Sequence, residues 1–207
     1  MRLEDNLFYY LVCKEMSSGR PLVILDLDNT CICAMEMGEL HEVTKPEKFR
    51  HVDLEDIYRI YERPGLQEWL TELFRYFRVG IWTAAGLTYA LFVIKKFIVH
   101  NDPARIVEFV MWDDHCDYSY RRTKDQYKHV KLLEPLYNSN FTVLIDDNKE
   151  VLRQQEDTID SNYFDVTDHG AHNDTFLKNS IQSIKDYFEN KRNKIVLRNQ
   201  VKKLLQE

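Results

Sequence analysis

Two kinds of apolar pattern alternate along the chain. Short runs rich in branched residues, Leu22–Leu25, Phe77–Trp82, Val107–Trp112 and Phe141–Ile145, have the length and composition of buried strands. Between them, apolar residues recur at helical spacing. Leu66, Trp69, Leu70 and Leu73 share one face of a helix opened by Arg63-Pro64-Gly65. Further helices are expected from about Thr88 to His100, around Tyr127–Tyr137, over roughly Thr175–Glu189 and over Ile195–Leu205. An N-terminal helix over residues 5–16 carries Leu7, Tyr10 and Leu11 and stops at Ser17-Ser18-Gly19. Residues 34–56 are polar and irregular, as in a loop or short hairpin, and Ile57–Tyr61 alternates loosely like a strand. Strands alternating with helices predict an α/β fold, a doubly wound, mainly parallel Rossmann-like sheet.

Composition narrows the class only slightly. At 207 residues, with 44% apolar and 30% charged residues, one domain with a tail is expected. The division is an N-terminal helix over 1–20, a catalytic domain over 21–190 and a basic C-terminal helix over 191–207. No apolar run approaches the ~20 residues that span a bilayer. The four cysteines, Cys13, Cys31, Cys33 and Cys116, lack paired spacing, and with no secretory pattern the expected compartment is intracellular, cytoplasmic or nuclear. A net charge of −6 argues against a broad nucleic-acid interface, although residues 185–207 carry +4. Nothing in the pattern indicates an oligomeric state.

The chemistry gathers at strand ends. The first strand runs into Asp26 and Asp28, with Thr30 two residues later; the second ends at Thr83 and Ala84; the last ends at Asp146-Asp147-Asn148. C-terminal ends of parallel strands share one rim, so these groups can meet. Two like charges in a buried setting are costly unless a cation offsets them. The set suits phosphoryl transfer: Asp26 as nucleophile, Asp28 as acid and base, and Thr30 and Thr83 holding geometry, Thr83 against a phosphoryl oxygen. Lys131 would neutralise charge, and Mg²⁺ would be held by Asp26, the backbone carbonyl of Asp28 and Asn148. An EF-hand is excluded, because Cys31 and Met37 stand where such a loop needs Gly and Glu. Arg121, Arg122 and Lys124 could flank the mouth of such a site.

Asp26-Leu27-Asp28-Asn29-Thr30 resembles the first motif of the haloacid dehalogenase superfamily. Glu62-Arg63-Pro64-Gly65-Leu66, Ile81-Trp82-Thr83-Ala84-Ala85, Val130-Lys131-Leu132-Leu133 and Leu144-Ile145-Asp146-Asp147-Asn148 extend the resemblance over roughly residues 20–190. They are similar to the RNA polymerase II C-terminal-domain phosphatases, the NLI-interacting-factor-like group. The resemblance implies a fold without a large cap domain and a Mg²⁺-dependent phosphomonoesterase working through an aspartyl-phosphate. It implies Asp26 as nucleophile, Asp28 as acid/base, and Thr83, Ala84 and Lys131 at the phosphate. It places magnesium on Asp26, Asp28 and Asn148, with Asp147 orienting Lys131 or a metal-bound water. Lys131 is preferred to Lys128 for its separation from Asp147-Asn148. The implied substrate is a phosphoserine or phosphothreonine protein such as the polymerase tail. The alternatives are a phosphatase of small-molecule or nucleic-acid-end phosphates, and a weakly active binding module.

Overall fold

The structure is a computed structural model that describes residues 19–123, 126–134 and 137–204. The expected helix over 5–16, together with Cys13 and Lys124, lies outside them. The molecule is built on a parallel sheet of five strands: β1 (Leu22–Leu25), β5 (Arg78–Trp82), β6 (Val107–Met111), β7 (Thr142–Asp146) and β8 (Thr158–Asp160). Their order across the sheet is β6-β5-β1-β7-β8. The four expected strands are present, within one residue at each end, and β8 is added.

Central position explains the composition of β1. Its four residues are buried on both faces, which a parallel sheet covered by helices requires. Successive side chains point to opposite faces. Val23 and Leu25 join Val79, Ile81, Val143 and Ile145 in one core layer, while Leu22 and Ile24 join Trp82, Phe109, Met111 and Leu144 in the other. Each such side chain stabilises the fold by about 1.5–3 kcal/mol relative to exposure. Gly80 in β5 has a packing reason, since a Cβ there would lie 2.4 Å from the Phe109 ring.

Helix α1 (Leu66–Tyr76) buries the four residues expected of it, Leu66, Trp69, Leu70 and Leu73. Its N-cap is Gly65 at φ +81°, a left-handed conformation that glycine adopts without strain. Helix α2 (Leu87–Val93) continues as a π-helical turn over Ile94–Val99. Helix α3 (Asp113–Thr123) occupies the polar stretch after β6, and α4 (Lys149–Arg153) follows β7. The last helix, α5 (Phe176–Leu204), is continuous where two were expected. The segment Asn190 to Lys194 holds neither Gly nor Pro, so nothing stops the helix there. Ser180 on α5 accepts a hydrogen bond from Trp69 Nε1 at 2.8 Å, fastening α5 to α1.

Two local expectations change. Residues 34–56, expected as a loop or short hairpin, are more ordered than a loop, and the strand expected over Ile57–Tyr61 is present as β4 (Tyr58–Glu62). It is the middle strand of an antiparallel sheet with β2 (Ile32–Glu36) and β3 (His51–Leu54). The helix expected around 127–137 is reduced, among the described residues, to a 3₁₀ turn over Val130–Leu133. Among the described residues, no helix is long and apolar enough to cross a membrane.

Candidate active site

The rim at the C-terminal ends of β1, β5 and β7 gathers most of the expected groups. Asp26 follows β1 directly, and its backbone N–H donates to Ile145 O at 3.0 Å, which ties it to β7. Asp146 is the last residue of β7 and Asp147 the next. Carboxylate oxygens of Asp26, Asp146 and Asp147 all lie within 4.8 Å of one another.

The cation among them is Lys128, and this corrects the expectation for Lys131. Lys128 Nζ donates to Asp26 Oδ1 at 2.5 Å and to Asp146 Oδ2 at 2.7 Å. Lys131 is exposed on the 3₁₀ turn over Val130–Leu133. The physical reason is the shortened helix. Lys128 lies in the preceding loop at φ +51°, a left-handed conformation that costs a non-glycine residue about 1 kcal/mol or more. Gln155 holds it there, donating to Lys128 O at 2.9 Å and accepting from Val130 N–H at 3.0 Å.

The last motif shifts by one residue for a related reason. Strand β7 ends at Asp146, so Asp146 pairs with Lys128, and Asp147 stands beside Asp26 where Asn148 was expected. Asn148 is engaged elsewhere: its side-chain oxygen accepts from Glu150 N–H at 2.9 Å and caps α4.

Thr30 is fully buried and turned toward the cluster. Its hydroxyl donates to Asp147 Oδ1 at 3.1 Å and lies 2.9 Å from Ser161 Oγ. A hydroxyl has one hydrogen, so with Thr30 donating to the carboxylate, Ser161 must be the donor to Thr30. The result is a directed chain, Ser161 to Thr30 to Asp147. Thr83 is buried beyond β5, and its Oγ1 accepts from Ala85 N–H at 3.0 Å. Ala84, beside it, is exposed on the rim. Asp28 is half-buried and accepts a hydrogen bond from Tyr89 on α2.

Behind the turn that carries Thr30, Arg63 is completely buried between the rings of Phe164 and Phe176. Its Nη1 donates to Thr30 O at 2.9 Å, and Nε and Nη2 hold Asp174 at 3.0 and 2.9 Å. Asp174 also accepts from Phe176 N–H at the start of α5. Arg121 and Arg122 are bound along their own helix, to Asp117 and to the Tyr118 ring and hydroxyl. Cys31, Cys33 and Cys116 are buried free thiols, raised by burial into an unreactive range.

The electrostatics of the rim are those of too much negative charge. Burial pushes Asp26 up to about 8, against the lowering effect of Lys128. Burial likewise raises Asp28 and Asp147, and the charge of Asp146 adds to the shift at Asp147. Lys128 is held above its usual value by Asp26 and Asp146 in spite of its burial. One ammonium cannot balance these carboxylates. A hard dication fits the all-oxygen set: Asp26 and Asp147 each have one oxygen engaged, by Lys128 and Thr30, and a second to offer, while Asp146 stays with Lys128.

Sequence reasoning weighed Lys128 but preferred Lys131, missed Tyr89, Ser161 and the Arg63–Asp174 pair, and set Asp146 behind Asp147. The one signal available was the strand end, where a boundary one residue later exchanges the roles of Asp146 and Asp147.

An α/β domain whose central strand delivers paired carboxylates beside a buried lysine defines a class, and comparison with solved structures agrees. The chain superposes on Fcp1, described as an essential RNA polymerase II CTD phosphatase, with a TM-score of 0.55 at 23% identity, covering 100% of this chain and 58% of that one. A fission yeast Fcp1 variant bound to beryllium fluoride gives 0.56 at 22% identity, over 99% and 59%. The chain thus spans somewhat over half the length of these structures, which share its fold. A CTD phosphatase-like protein, 355R, of Invertebrate iridescent virus 3 is 36% identical over 173 residues, 78% of this chain and 93% of the relative. Its counterpart in Invertebrate iridescent virus 6 is 40% identical over 145 residues, 64% and 79%. The family model for NLI interacting factor-like phosphatases matches residues 21–198, and the chain belongs to that family. It is a phosphatase.

Proposed function

We propose that this phosphatase hydrolyses phosphoserine or phosphothreonine esters in a protein substrate, with Mg²⁺ bound and through a phosphorylated Asp26. The observation that carries the reading is the position of Asp26. It lies at the end of the central strand, 2.5 Å from a buried lysine and beside two further carboxylates. The names of the viral relatives support a polymerase-tail type of substrate.

In the first half-reaction a carboxylate oxygen of Asp26 attacks phosphorus, and the bond from phosphorus to the ester oxygen breaks. Asp28 gives its proton to that departing oxygen, a role suited to a carboxyl group that burial keeps above the usual range. Lys128 turns its charge to the phosphoryl oxygens, and Thr83 lines the same rim. In the second half, Asp28 removes a proton from water as the water oxygen attacks phosphorus. The phosphorus–oxygen bond to Asp26 then breaks, releasing inorganic phosphate and restoring both carboxyl groups. Asp26 and Asp147, with the Asp28 carbonyl, would hold Mg²⁺, whose positive charge offsets repulsion between carboxylate and phosphoryl oxygens.

The test is phosphate release from a phosphoserine peptide. Asp26→Asn should lower kcat by at least about a hundredfold, and acid-quenched wild-type protein should carry phosphate on the peptide containing residue 26. Undiminished turnover by Asp26→Asn, or label on another peptide, would end the assignment.

A further inference from the structure

The carboxyl group of Asp28 is held from one side. Tyr89 donates its hydroxyl hydrogen to Asp28 Oδ1 at 2.5 Å. Tyr89 lies in the first turn of α2, the helix that starts a few residues after Thr83, so the rim that carries Thr83 also delivers the phenol. The ring is braced in turn. Tyr58, the first residue of β4, packs edge-on against it with 6.4 Å between centroids. The antiparallel sheet therefore reaches the carboxyl group of Asp28 through two stacked side chains.

We propose that Tyr89 is the positioning residue for the acid: by occupying Oδ1 it turns Oδ2 of Asp28 toward the leaving oxygen. The proposal rests on the assignment of Asp26 as nucleophile and Asp28 as acid. A carboxyl group turns broadly about its terminal torsion, so an unbound Asp28 would spend much of its time misdirected. One short hydrogen bond to a carboxylate is among the stronger kinds and selects a single orientation. Tyrosine suits the task because it has few torsions and its ring is fixed by packing. With Oδ1 accepting from the phenol, the transferable proton resides on Oδ2. It passes to the ester oxygen as the phosphorus–oxygen bond breaks, and Oδ2 takes it back from water.

The consequence depends on the leaving group. A serine alkoxide departs poorly without a proton, whereas p-nitrophenolate departs unaided. Tyr89→Phe in the full chain, which removes one oxygen atom, should lower kcat/KM about tenfold for a phosphoserine peptide. For p-nitrophenyl phosphate the loss should be less than about twofold, with kcat rather than KM carrying the peptide effect. Asp28→Asn should show the same selectivity with a larger loss. Adding Tyr89→Phe to Asp28→Asn should cost nothing further, because the tyrosine acts through the aspartate. Tyr58→Leu, which keeps the hydroxyl, should give a smaller loss of the same selectivity.

Equal losses on the two substrates, no loss on the peptide, or full additivity with Asp28→Asn would overturn the proposal. Asp26→Asn separates the two levels. If it keeps its activity, the nucleophile assignment falls. If it is inactive while Tyr89→Phe shows no selectivity, only the role of the tyrosine falls.

Discussion

The two sides of the rim are built on opposite principles. On one side Asp26, Lys128, Asp146, Thr30 and Ser161 are all buried; Lys128 bonds Asp26 and Asp146 at 2.5 and 2.7 Å, and Thr30 bonds Ser161 and the half-buried Asp147 at 2.9 and 3.1 Å. On the other, Asp28 is half-exposed and held by a single phenol. The closed side concentrates charge that only a cation can relieve, so damage there should be large and sensitive to metal. The open side aims one proton, so damage there should be modest and sensitive to the substrate.

The sharpest way to break this contrast is to exchange the two lysines. Lys128→Ala leaves the carboxylates of Asp26 and Asp146 without their ammonium, and a broken buried pair typically costs about 3–5 kcal/mol. Activity should fall at least about a hundredfold and the Tm should drop, whereas Lys131→Ala should change either by little. Equal effects in a thermal melt and a phosphate-release assay would return the role to Lys131.

Next comes pH. Asp26 binds its proton more tightly folded than unfolded, with 3.8 as the ordinary value and about 8 in place. The folded state therefore holds the extra proton across that window, and stability falls as pH rises through it. Asp28 and Asp147 shift in the same direction. Melts in chelator should show Tm declining from about pH 5 to about pH 8, and saturating Mg²⁺ should flatten the decline. A flat profile in chelator would mean that the closed side is not over-charged.

A smaller effect is expected one bond further out. Ser161→Ala removes the donor behind Thr30 and frees Asp147 to reorient, which should weaken Mn²⁺ binding, read by paramagnetic resonance, about tenfold. Unchanged affinity would make Ser161 a packing residue. Smallest of all, Arg121→Ala and Arg122→Ala should alter stability by less than about 0.5 kcal/mol, because exposed helix pairs contribute little. Activity on a phosphopeptide should not move either.

On both sides the residues of the first motif were legible in the sequence and the partners that hold them were not. A buried strand delivering acidic residues is a local signal, and Asp26, Asp28, Thr30 and Thr83 could be found from it. Lys128 was misread because its place depends on a loop clamped by Gln155, a contact across 27 residues. Asp146 and Asp147 stand where Asp147 and Asn148 were expected, because β7 stops one residue later than its apolar run suggests. Tyr89 reads as an ordinary half-buried helical residue, and only its distance to Asp28 marks it. The same holds for the fold. The parallel strands follow from their apolar runs, whereas β3 and β4 mix polar with apolar residues and form a sheet with β2 by pairing across β4.

Arg63 has a consequence for how the polypeptide must be handled. Its guanidinium links the carbonyl of Thr30, in the loop that follows Asp26, to Asp174, more than a hundred residues later. The opening and the closing stretches of the domain are thereby one mechanical unit. Shortened versions that stop before Asp174 would strand a fully desolvated cation beneath the loop that carries Thr30, and should lose turnover with it.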